Sequence, residues 1–198
     1  DDIRLVAERA SARQTAVWVA AGSIFAAFLE EFGIKIIGLT ESIGIIRAKE
    51  IVDPFAASGL IESSLFRTGD LSSQEEMINL IDRTREKGDT LGGIIRVTAG
   101  GVPPGLGSYV HPGRRLDSAL AAAFMDIPSI KGVEFGAGFR GATQYGSQYH
   151  DAIEYKNERI RRKTNNAGGI EGGMSNGENI VIRAVVKPIP TLREPLPS

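Results

Sequence analysis

Apolar residues first fall into a helical rhythm between about Ala12 and Phe32. There Val17, Ala20, Ala21, Ile24, Ala27 and Phe28 return at three- and four-residue intervals. Gly33 supplies a stop. Ser11-x-x-Gln14 is a capping-box pattern at the start: the hydroxyl can accept from the Gln14 amide and the Gln14 side chain can reach back. The small residues Ala16, Ala20, Ala21, Gly22, Ser23, Ala26 and Ala27 predict close packing of this helix inside a layered core. Ile34 to Ile46 is rich in β-branched residues and predicts one or two strands. Residues 47–71 show no period and read as loop with short elements. Ser73-x-x-Glu76 is a second capping box, opening a helix to about Lys87 with Met77, Leu80, Ile81 and Thr84 on its apolar face and Gly88 at its end. Leu91 to Thr98 predicts a strand, 100–113 a Gly/Pro loop, and Leu116 to Met125 a short Ala-rich helix. Gly132 to Gly136 predicts a strand, a loop-rich region follows, and Asn179 to Val186 predicts the last strand.

One internal echo stands out. G-G-I-I-R-V-T at 92–98, with prolines after it, resembles N-I-V-I-R-A-V at 179–185, which leaves through Pro188. Two similar strands of this kind predict a duplicated plan. No low-complexity linker divides the chain, so residues 1–198 are read as a single domain. Asp1 stands where a natural start would have Met, and the chain is expected to be an internal piece of a longer protein.

Composition narrows the classes. Of 198 residues, 42% are hydrophobic and 24% charged, the ordinary balance of a globular protein. A net charge of −1 argues against general nucleic-acid or anionic-membrane binding, which draws on a basic excess. No apolar run reaches the roughly 20 residues of a membrane span. With no cysteine, disulfides and thiolate metal sites are excluded, and two histidines, His111 and His150, are too few for a His-rich metal centre. Both read as surface residues.

Four segments carry candidate chemistry. In R-A-S-A-R at 9–13, Arg9 and Arg13 flank a helix start, where backbone N–H groups and the helix dipole add to two guanidinium charges. That is an anion site, or else a plain cap with both arginines in water. The run 164–178 holds Gly168, Gly169, Gly172, Gly173 and Gly177, with Asn165, Asn166 and Asn176 as amide donors and acceptors. Such density lets backbone approach a ligand closely, and reads as a shaped binding loop more readily than as a flexible one. It is not a dinucleotide fingerprint, which needs G-x-G-x-x-G directly after an early strand. Lys187-Pro188-Ile189-Pro190-Thr191 leaves a strand end with its backbone stiffened, as a platform for a flat ligand or as an edge strand entering a turn. The segment 127–139, with Gly132, Gly136 and Gly138, predicts close backbone packing or a bulge. The charge run Lys156, Arg159, Arg161, Arg162 and Lys163 predicts a solvated hairpin or loop.

In this order the segments resemble the chorismate synthases. The pieces that carry the resemblance are E-R-A-S-A-R-Q-T-A at 8–16, G-D-T-L-G-G at 88–93, P-P-G-L-G at 103–107, L-D-S-A-L-A-A-A at 116–123, I-K-G-V-E-F-G at 130–136, the run 164–178 and K-P-I-P-T at 187–191. The resemblance implies an α+β fold, a layered β-α-β sandwich with helices between antiparallel sheets and an internal structural duplication. It implies reduced FMN as cofactor, a link to NADP, and 5-enolpyruvylshikimate-3-phosphate as substrate. The reaction would be a 1,4-elimination of phosphate giving chorismate. A cytoplasmic homotetramer is likewise implied, with no nucleic-acid or membrane partner, its flavin reduced either by a built-in activity or by a separate flavin reductase, the usual bacterial arrangement. Arg9, Ala10, Ser11, Pro128, Ser129, Gly172, Lys187, Pro188, Ile189, Pro190 and Thr191 match flavin-contacting positions, and Arg13 matches an arginine that grips the substrate.

The family also carries G-E-S-H-G and R-P-G-H motifs with the two acid–base histidines. Neither motif occurs here, so no catalytic residue is assigned within the chain, which reads as the central part of the family. The alternatives on residue chemistry alone are another flavin-binding oxidoreductase and a non-catalytic phosphate- or nucleotide-binding module.

Overall fold

The computed structural model describes residues 2–9, 11, 13–156 and 158–193. In chain order it contains α1 (Ile3–Arg9), α2 (Gln14–Glu30), β1 (Lys35–Ile43), β2 (Ile46–Arg47), α3 (Ser58–Ser63), α4 (Leu71–Glu86), β3 (Gly93–Gly100), a 3-10 turn at Pro112–Arg114, α5 (Leu116–Met125) and β4 (Ile130–Phe135). A 3-10 segment at Gly138–Thr143 follows, then α6 (Gly146–Tyr149), β5 (Ile153–Lys156), β6 (Arg159–Arg162), β7 (Ile170–Glu171), β8 (Met174–Ser175) and β9 (Ile180–Val186). The main sheet has the order β2-β1-β3-β9-β4 and every pair in it is antiparallel. The architecture is α+β, and the basic run forms the β5–β6 hairpin.

Register fixes which side chains share a face. Paired residues point the same way, and alternate residues point oppositely. Ile182 pairs with Val97 and Phe135, so these three face one side. On that side Ile34, Val102, Ile170, Ile180 and Ile182 form a core against Leu116, Leu120 and Phe124. Leu39 pairs with Arg96, Arg96 with Arg183, and Arg183 with Glu134, so this row lies on the other side. There Ile37, Leu39 and Ile61 pack with Ile51, Phe55 and Ala57, which come from the stretch that showed no period. The two strands of the sequence echo are neighbours. Arg96 and Arg183, equivalent in the echo, are also directly opposite in the sheet.

Both helix ends marked by glycine close as read. Gly33 N–H donates to Glu30 O at 2.9 Å and Ile34 N–H to Leu29 O at 3.1 Å; Gly88 and Asp89 repeat the pattern on Arg85 and Thr84 at 3.0 Å each. These are Schellman pairs. The helix starts differ from the sequence reading. Arg13, itself helical, precedes α2 with no side-chain cap, and Ser11 Oγ instead accepts from Arg13 N–H at 3.3 Å. For α4 the cap is Asp70, three residues before Ser73, whose hydroxyl donates back to Asp70 O at 3.1 Å. A carboxylate competes well for first-turn amides, and an extended backbone at Asp70 presents it to them.

Asp70 accepts from the Lys49 amide at 2.9 Å and from the Ser72 hydroxyl at 2.7 Å. The Lys49 bond first, and then those from Ser72 and Ser73, hold its carboxyl well below the ordinary value against a burial effect that raises it. Because the folded pKa lies below the unfolded one, the stabilisation is complete above the unfolded value of about 3.9 and is lost as pH falls through the folded value. Asp70→Ala is expected to cost about 1–2 kcal/mol at neutral pH. Asp70→Asn keeps a capping oxygen and should flatten the acid limb of stability below about pH 4. Urea unfolding across pH checks both; an acid limb unchanged in Asp70→Asn would refute the assignment.

The largest departure is α2. None of its residues is buried; Val19 and Ile24 are 72% and 71% exposed. The expected packing inside a layered core is therefore not made within the described residues. Such an apolar, small-residue helix is stable in water only under cover. Among the described residues no helix is long and apolar enough to cross a membrane.

Candidate functional site

Two of the predicted ligand segments meet at one end of the sheet. Lys187 follows β9, and its N–H donates to Ser129 O at 2.9 Å. Ser129 itself adopts φ of 77°, a left-handed conformation that is strained for any residue with a Cβ. Strain of this kind is held by surrounding structure, here the end of α5 before it and β4 after it. Residues 188–191 then run along the loop that precedes β3. Thr90 Oγ1 donates to Ile189 O at 2.7 Å, and Pro188 packs where a Cβ on Gly92 would stand. One edge of the segment is thereby pinned, and the other edge is open: Pro188, Ile189, Pro190 and Thr191 are exposed. Among the described residues the Lys187 ammonium makes one long bond, 3.4 Å to Pro188 O, which leaves it donors for a ligand.

Gly172 lies elsewhere. It turns between β7 and β8, and the next residue, Gly173, accepts from Leu116 N–H at 2.8 Å, at the start of α5. Pro128 and Ser129 follow the other end of that ten-residue helix, roughly 15 Å away along its axis. Gly172 lines a separate cavity with Asp117, Tyr149, His150, Asp151 and Glu171. Ser11 and Arg13 stand at the start of α2, and no hydrogen bond or ion pair among the described residues joins them to Ser129 or Lys187. Arg9 closes α1 but its side chain, like Ala10, lies outside the described residues.

The glycine-rich run is densely hydrogen-bonded. Asp151, which the sequence reading passed over, organises it by accepting from the Asn166 and Ala167 amides at 2.8 and 2.9 Å and from the Thr164 hydroxyl. Burial works to raise the Asp151 carboxyl, but these bonds and the Arg162 charge outweigh it and hold the group below its ordinary value. The three asparagines expected to face a ligand are spent internally. Asn165 bridges Gly169 N–H and Asn179 O at 2.8 Å each, Asn166 donates to Tyr149 O at 2.8 Å, and Asn176 joins Glu171 and Glu178 at 3.0 Å each. His111 and His150 are exposed, as read.

The family model of chorismate synthase matches residues 1–198. The chain belongs to the chorismate synthase family. It is 51% identical over its whole length to a chorismate synthase of Moorella thermoacetica and covers 51% of that protein. A protein named chorismate synthase 2 from Bacillus cereus is 48% identical over 200 aligned positions, covering all of this chain and 51% of the relative. A crystal structure of chorismate synthase superposes with a TM-score of 0.89 at 43% identity, over 94% of this chain and 59% of that one. The chain spans about half the length of the curated relatives it matches.

The α+β fold is thus that of a chorismate synthase, and the resemblance read from seven short motifs holds over the full chain. A further cluster, which residue patterns did not single out, lies on the sheet face away from α5. Glu41 accepts from Arg183 Nε at 2.9 and 3.0 Å and lies 3.4 Å from Arg96 Nε. The sequence signal was the echo itself, which set an arginine in the middle of each of two apolar strands.

Proposed function

We propose that the protein carrying this chain is a chorismate synthase, which eliminates phosphate and a ring proton from 5-enolpyruvylshikimate-3-phosphate with reduced FMN, and that this chain supplies much of the flavin cradle. The observation that carries the reading is the family match over every residue from 1 to 198. The same reading takes the whole protein as a cytoplasmic homotetramer that uses reduced flavin, with a separate reductase as one source of it.

The residues present fit the cofactor. Lys187 offers an under-used ammonium beside an open, proline-stiffened backbone edge, which suits an anionic, planar molecule. Lys187 through Thr191, with Pro128 and Ser129, would hold one side of FMN. Ser11, Gly172 and the remaining R-A-S positions Arg9 and Ala10 would complete the cradle from their separate places, through the rest of the protein or a second copy. When bound, reduced flavin supplies electron density as the carbon–oxygen bond to phosphate breaks. Arg13, at the start of α2, would hold the anionic substrate, its charge reinforced by the helix dipole. No proton step falls to residues of this chain.

In the whole protein Arg13→Ala is expected to weaken substrate binding by roughly tenfold or more, the worth of a charge-assisted bond, and to change flavin affinity little. Anaerobic assay of chorismate and phosphate release, with separate titration of flavin and substrate, checks this. Equal losses of both ligands would count against the role of Arg13. Stoichiometric consumption of a reduced nicotinamide with reduced product would replace the lyase reading by an oxidoreductase.

A further inference from the structure

The face of the sheet away from α5 holds a cavity of about 380 Å³, within the range of small-ligand sites. Its floor is the cross-strand row of Arg96 and Arg183, with Glu41 between them. Five cations line it (Arg47, Lys49, Arg96, Arg140 and Arg183) against three carboxylates (Glu41, Glu50 and Glu134). Among the described residues, Glu41 is the one carboxylate that pairs with either floor arginine, and it serves both. Glu134 is engaged otherwise, accepting from Phe139 N–H at 3.1 Å.

Arg96 is 6% exposed, yet it is poorly satisfied. One bond, from Nη2 to Ile51 O at 2.6 Å, is its only side-chain hydrogen bond among the described residues. Its Nε is buried without a hydrogen-bond partner, because the 3.4 Å approach to Glu41 is an ion pair without hydrogen-bond alignment. Arg183 spends Nε on Glu41 and Nη1 on Gly136 O at 2.8 Å, leaving Nη2. Arg140 lines the same cavity from the 3-10 segment, exposed and without a side-chain bond among the described residues. Burial first, and then the nearby Arg183 charge, pull the Arg96 guanidinium below its ordinary value; Glu41 and Glu50 oppose them. Buried cations in excess of their counter-charges are costly, and a native fold normally meets such a cost with a partner.

We propose that this cavity is an oxyanion site for phosphate, free or as a small phosphate monoester, held by Arg96, Arg183 and Arg140. The lining suits it. Arg96 and Arg183, opposite each other on adjacent strands and with N–H donors unspent, line one cavity together with Arg140, and clustered guanidinium groups of this kind recognise a multiply charged oxyanion. The site is distinct from the Lys187 segment, since Arg183 lies four residues up β9, roughly 13 Å away.

Isothermal titration of the whole protein with inorganic phosphate, and separately with glycerol phosphate, at constant ionic strength tests it. Saturable binding of one or both is expected; preference between the two tells free phosphate from a monoester as the source. Arg140→Gln, an exposed change that spares the fold, should weaken that binding roughly tenfold or more. The same variant should leave flavin affinity unchanged, and Lys187→Gln should leave phosphate affinity unchanged, so failure here is separable from failure of the flavin reading. Heat reproduced by chloride, no saturable binding, or an Arg140→Gln titration like the parent's would overturn the proposal.

Discussion

Replacing Glu41 by Gln is expected to lower the unfolding free energy by about 3–5 kcal/mol, the cost of leaving buried charges without their partner. The Glu41 side chain is 14% exposed, and it is shared by Arg183 at 2.9 Å and Arg96 at 3.4 Å. Glutamine keeps the shape and one acceptor but removes the charge, so packing is not what is lost. The lower end of the range applies, because Arg183 keeps 22% of its side chain exposed and can recruit water. Urea midpoints measure the effect, and a double-mutant cycle with Arg183→Met assigns it. If charge pairing is the cause, removing both partners costs clearly less than the sum of the single losses. Strict additivity would mean the two side chains act independently, against the geometry.

Gly136→Ala should be as damaging, by about 3 kcal/mol or more, for a steric reason. Gly136 follows β4 with φ of 56°, and a Cβ there would meet Asn166 O at 2.1 Å and Gly168 N at 2.4 Å. Both neighbours are backbone, tied in place by Asp151 through the Asn166 and Ala167 amides. Nothing at this point can swing aside. Gly172→Ala is the control: its φ of 59° is similar, but nothing stands within 4 Å of the added Cβ. It should cost only the backbone strain, about 1 kcal/mol. Equal losses for the two variants, read from denaturation midpoints, would show that the crossing of residues 136 and 166–168 is not tight.

Residue patterns read the local elements well where local physics decides them. Met77, Leu80, Ile81 and Thr84 do turn inward on α4, and Gly33 and Gly88 do end their helices. Caps were less legible. Ser11 and Ser73 have the right spacing to a glutamine or glutamate, but a serine caps only where its own backbone is extended, and that is set by the preceding chain. At α4 a better acceptor, Asp70, stood three residues earlier. The asparagines of the glycine-rich run illustrate the same limit. Their donors and acceptors are evident from the sequence, yet Asp151, Tyr149 and Asn179 claim them first.

By itself, then, the sequence pointed to the family, which the match over residues 1–198 bears out, and it placed helices α2, α4 and α5 and strands β1, β3, β4 and β9 in order. Those are properties of short stretches, written in motif spacing and hydrophobic period. Only the tertiary structure decided that Ser129 and Lys187 are neighbours while Gly172 is a helix length away, because helix α5 separates them in space but strand pairing joins the other two. It alone set Arg96 against Arg183 over a single carboxylate, because that meeting depends on antiparallel register between strands 87 residues apart in the chain. The exposure of α2 is also a tertiary fact: apolar spacing demands a partner surface, and only packing shows whether the described residues contain one.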